Sequence, residues 1–87
     1  MRISVEMSLY PLQDNYIDEI LEFLENLKSI EGLSVKTNTM STQVHGEYDL
    51  VMSSIAECLK KPFEAGIPMA LVTKTLSVDR EHSVINQ

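Results

Sequence analysis

The chain has 87 residues, with 13 Asp and Glu against 7 Lys and Arg for a formal charge of −6, and 44% of its residues are hydrophobic. That composition fits one small globular domain and excludes a disordered chain, and the scatter of Lys and Arg along the sequence argues against a nucleic-acid binder, which needs a clustered basic surface. The single cysteine, Cys58, excludes an intrachain disulfide, and no apolar stretch approaches the ~18 residues of a membrane span, so the chain reads as cytoplasmic.

Ile3, Val5, Met7 and Leu9 alternate with Arg2, Ser4, Glu6, Ser8 and Tyr10, the period of a half-buried strand that Pro11 ends. From Asp14 the period changes. Ile17, Ile20, Leu21, Leu24 and Leu27 recur at spacings of three and four, which predicts an amphipathic helix capped by Asp14 or Asn15 and stopped near Lys28 and Gly32. Asp18, Glu19, Glu22 and Glu25 fill its other face and read as solvated. Residues 33–37 and 42–45 are short alternating segments joined by Asn38, Thr39, Met40 and Ser41, a hairpin turn without glycine in which Asn38 is best able to take a left-handed conformation. A second helix starts near Glu47, carries Val51, Ile55, Cys58 and Leu59 on one side, and is disturbed or ended by Pro62. Gly66 and Pro68 precede a fourth strand over residues 69–76. Cys58 reads as a packing residue.

Strand, helix, strand, strand, helix, strand is the pattern of an α+β ferredoxin-like βαββαβ plait, with an antiparallel sheet of order 4-1-3-2 and both helices on one face. Residues 1–77 form this domain and residues 78–87 a loose polar tail. The other face of the sheet stays open, and Ala70, Val72 and Leu76 lie on it, so a second copy is expected there; a domain of this size also gains from a partner.

The plait gathers the end of the first strand, the central hairpin and the end of the second helix at one end of the molecule. Thr37 and Thr42 fall on the helix-facing phase, with Asn38 and Ser41 at the rim, which points to a small polar pocket between sheet and helices. His45 and Glu47 match the H-x-E of zinc deaminases, but the P-C-x-x-C partner is absent. No catalytic residue, metal-ligand set or cofactor is assigned.

Residues 8–12, S-L-Y-P-L, and residues 37–49, T-N-T-M-S-T-Q-V-H-G-E-Y-D, resemble the YkoF-like family. The resemblance spans roughly residues 3–76 and implies a ferredoxin-like domain that binds thiamine or its hydroxymethylpyrimidine part in vitamin uptake or salvage, without catalysis. The best-known members carry two such domains in one chain. A single domain then implies a homo-oligomer, dimer or tetramer. Convergence and motif position together nominate Ser8, Tyr10, Thr37, Asn38, Met40, Ser41, Thr42, Gln43 and Tyr48. The hydroxyl and amide groups suit an aminopyrimidine, and Met40, Tyr10 or Tyr48 would supply its flat wall. Two alternatives stand beside this reading: a dimeric ferredoxin-like enzyme of oxygenase or isomerase type using His45, and a regulatory or oligomerisation module without a ligand.

Overall fold

A computed structural model describes residues 1–82. In chain order the elements are β1 (Arg2–Pro11), α1 (Ile17–Lys28), β2 (Ser34–Thr37), β3 (Thr42–Glu47), α2 (Tyr48–Glu64) and β4 (Met69–Leu76). The strands form one antiparallel sheet of order β2-β3-β1-β4, the ferredoxin-like arrangement expected from the sequence. β1 is central because its alternating pattern lets one side bury completely: Ile3, Val5 and Met7 join Val44 of β3, Phe23 and Leu27 of α1, and Val51 and Ile55 of α2 in the core.

The apolar stripe of α1 is rotated from its expected position. Ile20, Phe23 and Leu27 are buried and Leu24 packs beside them, whereas Ile17 and Leu21 are 56% and 53% exposed. Phe23 lies three residues after Ile20 and four before Leu27, so the large aromatic ring sets the buried face. The helix also starts later than expected. Tyr16 occupies the cap position, with its carbonyl accepting the Ile20 N–H at 3.3 Å, and neither Asp14 nor Asn15 caps it.

Pro62 does not end α2. It is buried inside the last turn, and the helix continues to Glu64, with the Ala65 N–H bonded to the Lys61 carbonyl at 3.1 Å. Proline at this position forfeits one ladder bond near a terminus, and the Pro62 carbonyl is still used, by the Ile67 N–H at 3.0 Å. Gly32 has φ +95°, a left-handed backbone that favours glycine, and a Cβ there would also lie 2.8 Å from Leu50 Cδ2, so the end of that side chain would have to shift. The residues after β4 also depart from expectation. Instead of a loose tail from residue 78, the described part of the segment, to residue 82, lies across the open face of the sheet, held by Asp79, Arg80 and Glu81; residues 83–87 lie outside the described residues.

Two substitutions test this packing. Phe23→Ala is expected to cost about 3–5 kcal/mol in urea unfolding and Leu21→Ala less than about 0.5 kcal/mol; comparable losses would contradict the rotated stripe. Cys58 is half-buried against the core and burial raises its thiol pKa, so Cys58→Ala should cost about 1 kcal/mol and leave ligand binding intact.

Candidate functional site

Register decides which side chains share a face, since directly paired residues of an antiparallel ladder point the same way. Met7 pairs with Thr42, and Thr42 with Thr37, so these three side chains point toward α1. There Ile20 and Leu24 of α1 close a cleft of about 220 Å³ over Met7, Leu9, Thr37 and Thr42, rimmed by the hairpin residues 38–41. Its floor is polar in one place only. Thr37 Oγ1 and Thr42 Oγ1 lie 3.0 Å apart, and Thr42 is buried. Two hydroxyls share one hydrogen bond, which leaves one hydrogen and several lone pairs for a guest.

Seven of the nine residues nominated from sequence border this cleft: Ser8, Tyr10, Thr37, Asn38, Met40, Ser41 and Thr42. Their parts in it differ. Asn38 does not adopt a left-handed conformation, since no non-glycine residue among those described has positive φ. Its Oδ1 accepts the Met40 N–H at 2.8 Å and the Ser41 N–H at 3.0 Å, a side-chain turn that makes glycine unnecessary. The Ser41 hydroxyl donates to Glu6 Oε2 at 3.0 Å and accepts from Gln43 Nε2 at 2.7 Å, so it fixes the hairpin. Ser8 and Tyr10 pair with Val72 and Ala70, and their side chains therefore fall on the opposite face.

Gln43 and Tyr48 are not part of the cleft. Gln43 pairs with Glu6 and Lys36 and stands on the open face. Tyr48 begins α2 just past the Arg2–Glu47 pair, five rungs from Met7–Thr42 and so about 17 Å along the strand at ~3.4 Å per residue. The expected flat wall is consequently aliphatic, from Leu9, Ile20 and Leu24, with Met40 84% exposed at the tip. Ile20 and Leu24 carried no signal in the sequence beyond their helical period. Only the placement of α1 beside the hairpin reveals them.

The opposite face carries a polar row, Ser34–His45–Ser4, across β2, β3 and β1. The His45 side chain is 7% exposed, and its Nδ1 lies 2.7 Å from Ser4 Oγ and 3.6 Å from Asp79 Oδ1. Both partners meet the same ring nitrogen, so the trio lacks the serine-to-one-nitrogen, aspartate-to-the-other order of a hydrolytic relay. Residues 79–81 cover the row. The Arg80 N–H donates to Ser4 Oγ at 2.7 Å, Arg2 Nε donates to Asp79 Oδ2 at 2.8 Å, and the Ser34 hydroxyl donates to Glu81. The Glu81 N–H and the Arg2 guanidinium hold the Asp79 carboxyl below its usual pKa; the Ser34 hydroxyl, with His82 and Lys36 nearby, does the same for Glu81.

Between the ends of α1 and α2 a further cleft of about 230 Å³ is lined by Glu19, Glu22, Phe23, Lys61 and Pro62. Glu22 pairs with Lys61 and Glu19 is half-buried, so this part of α1 is an interhelical contact and only the rest of the acidic face is solvated.

Comparison with known families matches residues 2–80 to the YKOF-related family, and the chain belongs to it. Among solved structures, a Streptococcus pneumoniae protein superposes with a TM-score of 0.77 at 22% identity, covering 91% of this chain and 89% of its own. A Methanocaldococcus jannascii protein gives 0.73 at 20% identity, covering 97% and 88%. A Thermotoga maritima protein, described as a "putative thiamine biosynthesis/salvage protein", gives 0.71 at 16% identity, covering 90% and 85%. No curated protein matches the chain. No helix among the described residues is long and apolar enough to cross a membrane.

Both carboxylates of residues 79–81 have lowered pKa values, so their stabilising contribution is full above the ordinary carboxylate range and disappears as pH falls through the lowered values. Acidification should therefore expose the Arg80 amide to hydrogen exchange before the sheet unfolds. Loss of Arg80 protection only together with that of β1 and β3 would contradict this attachment.

Proposed function

We propose that the chain is a non-enzymatic binding protein for thiamine or its hydroxymethylpyrimidine part, acting in vitamin uptake or salvage. The observation that carries the proposal is the Thr37–Thr42 hydroxyl pair at the base of a cleft walled by Leu9, Ile20 and Leu24 and rimmed by the polar hairpin. An aminopyrimidine is flat, with ring nitrogens that accept and an exocyclic amino group that donates, and one hydroxyl pair meets both needs while Leu9, Ile20 and Leu24 contact its faces. Membership of the YKOF-related family and the thiamine-related description of the Thermotoga maritima neighbour support the same reading.

The cleft is small and open toward the hairpin, so the pyrimidine is the part it fits and the remainder of thiamine extends past Met40. A second copy of the chain is proposed on the uncovered half of the open face, where Tyr10 and Val72 are exposed and Ala70 is half-buried. Residues 79–81 leave that half free.

Thr42→Val keeps the side-chain shape and removes the hydroxyl. It should weaken binding of thiamine or hydroxymethylpyrimidine by about five- to a hundredfold in calorimetry, since a buried polar group left unpaired costs about 1–3 kcal/mol. Glu25→Gln, on the exposed side of α1, should change affinity less than about twofold because a distant surface charge is screened. Equal effects, or binding that ignores Thr42→Val, would remove the cleft from the account. Sedimentation should show a species larger than the monomer that Val72→Glu converts to monomer; a wild-type monomer at micromolar concentration would refute the second copy.

A further inference from the structure

The mouth of the hairpin cleft is built without the groups that hold an anion. Among the twelve described residues that line the cleft there is no Asp, Glu, Lys, Arg or His. Resting on the reading of the cleft given above, we infer that it selects the free pyrimidine alcohol, or the thiazolium cation derived from it, against the phosphate ester of that alcohol.

A bound phosphate needs cations or several N–H groups converging on it. The hairpin uses most of its donors on itself. The Met40 and Ser41 N–H groups donate to Asn38 Oδ1 at 2.8 and 3.0 Å, and the Asn38 N–H donates to the Ser41 carbonyl at 3.0 Å. The Ser41 hydroxyl donates to Glu6 Oε2 at 3.0 Å. What the rim keeps for a guest, Thr39 and the Asn38 amide nitrogen, is neutral and belongs to exposed residues.

The charges around the mouth do not supply what the rim lacks. Glu6, bonded to Ser41, faces Lys74 at 3.2 Å, so the two together bring no positive excess. The first turn of α1 leads into the cleft wall at Ile20, and Asp18 and Glu19 in that turn offset the positive pole of the helix. The lysines closest in sequence to the lining residues are Lys28 and Lys36. They pair with Glu25 at 3.9 Å and Glu81 at 3.7 Å, and Lys36 stands on the open face with Gln43.

Ligand chemistry turns this into selectivity. The methylene that carries the hydroxyl of hydroxymethylpyrimidine carries the thiazolium ring in thiamine and the phosphate in the ester. With the pyrimidine seated on Thr37 and Thr42, that methylene comes to the mouth beside Met40, so one position receives a neutral group, a cation or a dianion. A mouth with no lining cation, on a chain of net charge −6, accepts the first two and repels the third.

Calorimetry on the full chain with hydroxymethylpyrimidine and with its phosphate ester tests the inference. The ester should bind at least about tenfold more weakly, and added salt should narrow the ratio because screening weakens the repulsion. Thr39→Lys places a cation on the exposed rim and should narrow the ratio by about threefold or more, whereas the neutral Thr39→Gln should not. An ester that binds as tightly as the alcohol, or a ratio that Thr39→Lys leaves unchanged, would overturn the inference while the pyrimidine reading of the cleft stands. If neither thiamine nor hydroxymethylpyrimidine binds, that reading fails and this inference with it.

Discussion

The pleat of β1 separates the two chemistries of this protein. Paired on both sides, β1 sends Ile3, Val5 and Met7 under the helices and Ser4, Glu6 and Ser8 to the opposite face. A slip of one residue would bury Ser4 and Glu6 in the core and expose its aliphatic residues, so burial of one face locks the register. The locked register places Met7 beside Thr42 and Ser4 beside His45. The aliphatic cleft with its threonine pair and the polar row beneath residues 79–81 are two consequences of one constraint.

The hairpin joins the two faces. Gln43 Nε2 donates to Ser41 Oγ, Ser41 donates to Glu6, and Glu6 pairs with Lys74. Gln43, Glu6 and Lys74 all belong to the open face, so these bonds tie the hairpin to that face while residues 38–41 rim the cleft on the other. The Ser41 hydroxyl, with the Lys74 ammonium beside it, holds the Glu6 carboxyl below its usual pKa, so Glu6 remains an acceptor across the neutral range. A turn with no glycine keeps its shape through these side chains and through Asn38.

Much of the fold was legible because its signals are periodic. Alternation in β1 and the two helical stripes give element order, and element order with antiparallel pairing gives the sheet. The faces of Thr37, Thr42, Ala70 and Val72 follow from counting. What counting did not supply was size and distance. Phe23 displaced Ile17 and Leu21 because a large ring claims the buried position, and Pro62 stayed in its helix because its lost bond falls near a terminus. Tyr48 is near the hairpin in sequence and a strand's length from it in space. The docking of residues 79–81 was hidden for a different reason: it rests on single polar partners, Arg2 for Asp79, Ser4 for the Arg80 amide and Ser34 for Glu81, which leave no pattern along the chain.

Methyl NMR of the protein titrated with thiamine tests most directly whether the hairpin cleft is the ligand site. The account predicts saturable shifts of Met7, Leu9, Ile20, Leu24 and Thr42, and no change at Leu76 on the open face or at Val51 of α2. Shifts confined to the open face, or spread evenly over the surface, would contradict it.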